Sequence, residues 1–369
     1  PPQLHGRPHL IGPTLRLALQ GTLAAGGQAI LLMNRRGYAS YIACPSAACG
    51  WSMRCTECDA SLVHHRLRPS AEHGGVGGGG EVAFVRCHHC LAEQRLERTC
   101  PICQRRLIGL GGGTQSVEDE LEGALGLSRD RDLLRVDGDS MRSARDWFAA
   151  LARFASGELR VLVGTQMISK GLDYPNVRLV GVVDADTAIA LPDFRAAERT
   201  FQLVTQVAGR AGRGEHAGRV IVQTMNPRAE PIRFAAQHDY LGFATAELST
   251  RRRAGLPPIT RMARIVVRHE DLARADAMSA ELAAALRAAA ASIEGRQHVA
   301  SAASARPPIR IDGPLPCPVS RIAGQYRMEV TITAAARGQV QEVLRIARQR
   351  GIAKSDARMA IDVDPIALM

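Results

Sequence analysis

Arg160-Val-Leu-Val163-Gly164-Thr165-Gln166-Met167-Ile168-Ser169-Lys170-Gly171-Leu172-Asp173 is a short apolar run that gives way to a polar loop. Apolar positions with no polar alternation read as a strand buried on both faces, as in parallel sheets. In such sheets, functional loops leave the carboxyl ends of the strands. Thr165 and Gln166 then offer neutral donors to a nucleic-acid phosphate, and Lys170 supplies charge. Gly171 and Asp173 are candidates for the nucleotide side, Asp173 as acceptor from a ribose hydroxyl. A merely polar loop after a buried strand fits these residues equally well.

The flanking sequence has the same character. Helical patterns at Thr14–Ala24, Gln115–Leu125, Ser143–Ala155 and Ala196–Arg210 alternate with apolar runs at Gln28–Met33, Asp132–Val136, Val177–Asp184 and Gly218–Thr224. That alternation predicts a parallel α/β sheet with helices on both faces. From about Pro227 the pattern changes to that of a small α+β domain. Strands are expected at Arg264–His269, Tyr326–Ala334 and Met359–Asp364, helices at Leu272–Ala291 and Arg337–Arg350, and a polar loop over 296–309.

The helix expected to start near Ala196 closes on Gln206-Val-Ala-Gly209-Arg210-Ala-Gly212-Arg213. Spacings of four and three put Gln206, Arg210 and Arg213 on one helix face. Paired guanidiniums there suit the spread charge of a transferring phosphoryl group. The competing reading is arginine interacting with the carbonyls at its own helix end. The sequence contains no Gly-x-x-x-x-Gly-Lys-Ser/Thr phosphate loop and no Asp-Glu pair ending an apolar strand to hold magnesium. Arg210 and Arg213 are therefore expected to face a nucleotide that this chain does not hold alone.

Formal net charge is +11, and only Lys170 and Lys354 among the 47 basic residues are lysine. The excess favours an anionic partner, although an inert basic surface competes on charge alone. No apolar run is long enough for a membrane span, and residues 1–16 lack signal-peptide zones, so the expected compartment is the cytoplasm.

Eight of the nine cysteines fall in residues 44–103, as the pairs Cys44/Cys49, Cys55/Cys58, Cys87/Cys90 and Cys100/Cys103. The last three are Cys-x-x-Cys knuckles, whose tight turn aims two sulfurs at one ion. Eight thiolates make two closed four-cysteine zinc sites, structural because no position is left for water. Redox cysteines or buried free thiols are the alternatives. Zinc also explains how a block poor in large apolar residues folds. Arg66–Glu81, rich in Gly and His, reads as a surface loop, and Cys317 as a lone thiol.

Taken together, Leu32–Tyr38, the four cysteine pairs, Gly164–Pro175, Pro192–Arg199, Gln206–Arg213 and Asp362-Val-Asp364-Pro365 resemble, in the same order, the PriA-type primosomal helicases. The resemblance implies a RecA-like second helicase lobe carrying motifs V and VI at Gly164–Pro175 and Gln206–Arg213. It divides the chain into 1–43 (start of the lobe), 44–103 (zinc insertion), 104–226 (remainder of the lobe) and 227–369 (C-terminal DNA- and partner-binding domain). It implies nested zinc pairing: Cys44, Cys49, Cys100 and Cys103 hold one ion, and Cys55, Cys58, Cys87 and Cys90 the other. Arg337 and Gln341 match positions that contact partners. The implied activity is 3′ to 5′ DNA unwinding that remodels abandoned forks and directs primosome assembly, with ATP and Mg2+ bound only with a first lobe. Implied partners are single-stranded and forked DNA, single-strand-binding protein, primosome proteins and the loader of the replicative helicase.

The first cysteine gap is two residues wider than is usual in that family, and Gly74–Gly80 lengthens the span between the inner pairs. The chain alone is expected not to hydrolyse ATP. A non-motor, zinc-stabilised DNA-binding scaffold is the alternative, and a zinc-ribbon RNA or transcription factor leaves residues 160–213 unexplained.

Overall fold

The structure is a computed structural model. It describes residues 10–33, 41–46, 48–49, 51, 53–56, 63–67, 82–86, 92–95, 97–110, 114–138, 140–141, 143–165, 168, 174–189, 191, 193–209, 211–212, 217–300 and 308–368.

The chain opens with α1 (Pro13–Ala24), which starts on a proline at the first helical turn, where the missing N–H costs nothing. The turn at Gly26 leads into β1 (Gln28–Met33), buried at every position. An excursion follows through β2 (Tyr41–Ala43), β3 (Val63–Leu67), β4 (Val82–Arg86), β5 (Glu93–Arg95) and β6 (Ile108–Leu110). The chain then returns as α2 (Thr114–Leu125), β7 (Leu133–Val136), α3 (Ala144–Ala155), β8 (Val161–Gly164), β9 (Val177–Asp184), the single turn α4 (Asp186–Ile189), α5 (Ala196–Ala208) and β10 (Arg219–Val222).

The sheet order is β10-β9-β1-β8-β7, with every neighbouring pair parallel. Side-chain alternation divides its core in two. Ala29, Leu31 and Met33 face Leu15, Leu19 and Leu23 of α1 and Val117 and Leu121 of α2. Ile30 and Leu32 face Phe154 of α3 and Phe201, Val204 and Val207 of α5. The parallel α/β sheet expected from the sequence is therefore observed, with β1 and β9 at the expected residues. Ser143 caps α3 reciprocally with Asp146, the capping box that fixes this helix's start.

Beyond β10 come α6 (Glu230–Ala236) and α7 (Tyr240–Ala254), two helices that the sequence pattern does not announce. They pack on the parallel-sheet core: Ile232, Ala235 and Phe243 join it, and the Phe243 ring stacks on Phe201 at 4.3 Å. A second, antiparallel sheet follows, built from β11 (Arg261–His269), β12 (Arg310–Ile322), β13 (Gln325–Ala334) and β14 (Met359–Val363) in the order β12-β13-β11-β14. The helices α8 (Leu272–Ala300) and α9 (Arg337–Gln349) cover one of its faces.

Two expectations need correction here, and one strand has no signal in the sequence pattern. The helix expected at 272–291 runs on to Ala300, into the segment expected to be loop; its alanines carry strong helix propensity. Residues 310–322 form a strand despite Pro314, Pro316 and Pro318, because β12 is an edge strand and needs only one side of its backbone for pairing. Arg66 and Leu67, expected in the Gly-rich loop, belong to β3, while 68–81 lies outside the described residues. Among the described residues no helix is long and apolar enough to cross a membrane.

Candidate functional site

The excursion after β1 is closed at its base by β2 and β6, which pair antiparallel with Ala43 opposite Ile108. That pairing sets Cys44 beside Leu107, so the first and last cysteine pairs meet although more than fifty residues separate them. Met53 N–H returns to the Ile42 carbonyl at 2.8 Å, and Cys44 N–H binds the Trp51 carbonyl at 2.9 Å, closing the first loop. On the other side Gln104 adopts φ 59°, and its N–H closes the Cys100–Cys103 knuckle onto the Cys100 carbonyl at 2.9 Å.

The sulfurs of Cys44, Cys49, Cys100 and Cys103 all lie within 4.8 Å of one another. Cys44 Sγ is 3.3 Å from Cys103 Sγ, and Cys49 Sγ is 3.6 Å from Cys100 Sγ. Four sulfurs placed tetrahedrally about 2.3 Å from one metal lie about 3.8 Å apart. The donor set therefore fits a closed, thiolate-bound zinc ion. Trp51, Ile42, Met53 and Leu107 pack around it. The wider gap of the first pair does not prevent this geometry, since Cys49 N–H bonds to the Ser46 carbonyl at 3.0 Å in its own turn.

Four thiols in one pocket do not ionise alike. Burial raises the Cys100 thiol, but the backbone N–H groups of Cys103 and Ile102 outweigh it and bring the pKa down to about 7. Burial pushes Cys44 up to about 12, helped by the neighbouring thiols and opposed by the Ser46 N–H. One thiolate forms readily and suppresses the rest, a mutual titration that a divalent cation would relieve.

Of the inner pairs, only Cys55 is among the described residues, and it is buried; Cys58, Cys87 and Cys90 lie outside them. The hairpin of β3 and β4 sets Val63 opposite Arg86. The start of β3 and the end of β4 therefore share one end of that hairpin.

On the parallel sheet, Thr165 follows β8 directly and is buried, and Ile168, fully buried, returns its N–H to the Thr165 carbonyl at 3.1 Å. A side chain at Gly164 would lie 2.2 Å from the Val136 carbonyl oxygen, so only glycine lets β7 and β8 pass this closely at the loop's root. Gln166, Lys170, Gly171 and Asp173 lie outside the described residues. The loop's far end is anchored by Tyr174, whose ring meets Phe154 edge-on at 4.9 Å.

The shared helix face expected for Gln206, Arg210 and Arg213 is corrected by the structure. Helix α5 carries Gln206 but ends at Ala208, with Gly209 as its cap, and Gly212 has φ +75°. A continuing helix cannot accommodate that value. The chain turns instead so that Gly212 N–H binds the Val177 carbonyl at 3.1 Å, and Val177 N–H binds the Tyr174 carbonyl at 3.1 Å. Arg210 and Arg213 themselves lie outside the described residues, but Gly209 and Gly212 on either side of Arg210 do not. Gly212 therefore meets the first loop at its far end, beside the amino end of β9, whereas Thr165 leaves the carboxyl end of β8 at the opposite edge of the sheet. Arg337 and Gln341 are exposed on α9, a helix of the antiparallel sheet.

Sequence pattern assigns no role to Asp193, Glu198, Arg199 and Arg251. Asp193, with its carboxylate fully buried, binds Arg199 at 2.9 Å, Arg195 N–H at 2.9 Å and Leu368 N–H at 3.1 Å. Arg199 also donates to the Ile366 carbonyl. Arg251, nearly fully buried, donates to Glu198 at 2.8 Å, to Glu247 at 2.7 Å and to the Pro257 carbonyl at 3.3 Å. The helix bearing Gln206 is therefore tied at its start to α7 and to the chain's last described residues. The alternating charges of Asp193, Glu198 and Arg199 were the available signal, but their partners are distant in sequence.

Comparison with known proteins follows these divisions. Residues 113–215 match the family model "Helicase conserved C-terminal domain", and residues 252–366 match "Primosomal protein N C-terminal domain". Similar curated proteins are the replication restart protein PriA of Bacillus subtilis, 35% identical over 99% of this chain and 42% of the relative, and that of Treponema pallidum, 35% over 95% and 48%. The PriA of Haemophilus influenzae is 34% identical over 94% and 43%. The chain thus spans less than half the length of these relatives.

Proposed function

The chain belongs to the PriA family, as a C-terminal region of it, and on that premise we propose that it is part of an ATP-dependent 3′ to 5′ DNA helicase. In this reading it remodels abandoned replication forks and directs primosome assembly. The observation that carries the reading is the hydrogen bond from Gly212 to Val177, which ties the chain after α5 to the point where the Thr165–Tyr174 loop re-enters the parallel sheet. Arg210 and Arg213, aided by Gln206, face the phosphates of an ATP held by another lobe. Gly171 and Asp173 border the same nucleotide. Thr165, Gln166 and Lys170 follow the DNA backbone, and Arg337 and Gln341 meet single-strand-binding protein and the primosome proteins and loader. These act in the cytoplasm.

The Cys44–Cys49–Cys100–Cys103 set holds one zinc ion, and Cys55, Cys58, Cys87 and Cys90 hold a second at the end of the β3–β4 hairpin. Zinc bound by four thiolates is closed to water and contributes folding energy rather than reactivity. We also infer a domain order of lobe, zinc insertion over 44–103, remainder of the lobe, and a C-terminal domain. The packing of α6 and α7 on the lobe core supports moving the start of the last from 227 to near Gly255.

The alternative is a scaffold that binds DNA and primosome components without turnover. It is favoured by the lack of a phosphate loop in this sequence. ATP hydrolysis separates the two readings. The chain alone is expected to bind single-stranded DNA without hydrolysing ATP, and addition of an ATP-holding lobe should bring DNA-stimulated turnover. In that combined protein Arg213→Ala should lower turnover by about 10³-fold or more. Turnover by this chain alone would overturn the reading that another lobe holds the ATP, and an unaffected Arg213→Ala would remove Arg213 from the motor mechanism.

A further inference from the structure

In the antiparallel register of β11 and β13, Arg268 sits directly opposite Arg327. Like charges facing one another across strands destabilise a sheet. Ala263, Ile265 and Val267 point to α8 and α9, so by alternation Arg264, Val266 and Arg268 occupy the other face.

The carboxylates on that face stand beside Arg264 instead. Arg264 Nε donates to Glu329 at 2.7 Å, and Asp362 is the cross-strand partner of Arg264 on β14. Cys317 is buried in the same neighbourhood, and burial raises its pKa, so it stays a neutral thiol and adds no negative charge. Arg327 donates to the Val319 carbonyl at 3.1 Å, a neutral acceptor. Among the described residues, Arg268 Nε is buried with no partner. Burial, joined by the charges of Arg264 and Arg268 and opposed by Cys317 and Glu329, holds the Arg327 guanidinium below its ordinary value.

A half-buried pair of guanidiniums with their nearest carboxylates already engaged needs an anion from outside. Two planar forks suit the tetrahedral oxygens of a phosphate better than a single carboxylate. We propose that Arg268 and Arg327 form a phosphate-binding site on the face of the antiparallel sheet opposite α8 and α9. The same chemistry serves a nucleic-acid phosphodiester or a free phosphate. The first source rests on the reading above that the chain acts on DNA; the site itself does not.

Two measurements on the whole chain test this: thermal unfolding during titration with inorganic phosphate, and the salt dependence of binding to a single-stranded oligonucleotide. Phosphate should raise the melting temperature of the native chain and leave that of Arg268→Gln and Arg327→Gln unmoved. Without phosphate, Arg268→Gln should melt at or above the native temperature, because it removes a repulsion. If the ligand is nucleic acid, the slope of log affinity against log salt should shrink by about 0.7 for each phosphate no longer neutralised. Arg268→Lys, which keeps the charge but not the fork, should keep that slope.

A phosphate response with an unchanged oligonucleotide slope supports the site and assigns it to a free phosphate. No oligonucleotide binding at all would sink the DNA reading while the phosphate titration still decides the site. Equal phosphate responses in native and variant chains would overturn the proposal, and so would a lower melting temperature of Arg268→Gln in phosphate-free buffer.

Discussion

Gly212 and Gly218 cross with their backbones in contact: a Cβ on Gly212 would lie 2.2 Å from the Gly218 nitrogen, and one on Gly218 would lie 2.2 Å from the Gly212 nitrogen. This crossing lets the chain leave α5, reach the start of β9 and still enter β10. It fixes Gly212 and Gly218 against each other by sterics.

Gly212→Ala should therefore destabilise the chain by at least about 1–3 kcal/mol, since it adds a left-handed non-glycine residue to a backbone clash. Gly123→Ala is the control. It sits at an exposed position of α2 with nothing within 4 Å of the new methyl, and should stabilise by roughly 0.5–1 kcal/mol. Chemical unfolding of both variants checks the opposite signs; a neutral Gly212→Ala would mean that the crossing is not tight.

Arg251→Ala should cost about 3–5 kcal/mol, because it leaves the largely buried Glu247 without this cation and the half-buried Glu198 to its longer 4.0 Å pairing with Arg195. Arg251→Ala combined with Glu247→Gln should cost less than the sum of the two single changes. Thermal unfolding of the double-mutant set reads the difference, and strict additivity would show that Arg251 acts by packing alone.

Zinc content should be two ions per chain by elemental analysis, and chelation should unfold residues 41–110 while leaving the antiparallel sheet intact. A single ion would limit the metal to Cys44, Cys49, Cys100 and Cys103. Hydrogen exchange of the β2–β6 pairing before and after chelation locates the loss.

Zinc affinity should rise with pH. The metal binds thiolates, so below about 7 the Cys100 proton competes directly, and affinity falls as pH falls through that value. Above it, affinity keeps rising because Cys44 retains its proton up to about 12. Competition with a chromophoric chelator between pH 6 and 8.5 measures the slope; a flat profile would contradict thiolate ligation at this centre.

Much of the parallel sheet is legible in the residues alone. Burial on both faces makes β1 and β9 continuous apolar runs, and Ser143 with Asp146 writes the start of α3 into four residues. The C-terminal edge is not legible in this way. Residues 310–322 carry no strand signal because their prolines lack N–H donors, and local propensity cannot know that an outer strand leaves those donors unused. Helix α5 reads two residues too long because the helical period of Gln206, Arg210 and Arg213 continues past Gly209, where backbone crossing overrides it.

The sequence by itself determined the alternation of strand and helix and a supply of thiols at metal-binding spacing, because these depend on residues close along the chain. Only the tertiary structure decided which thiols meet, that α6 and α7 join the first core, and that Arg268 faces Arg327. Each of these depends on which strands pair and in what register, and that choice is made by burial and backbone hydrogen bonding between segments dozens of residues apart.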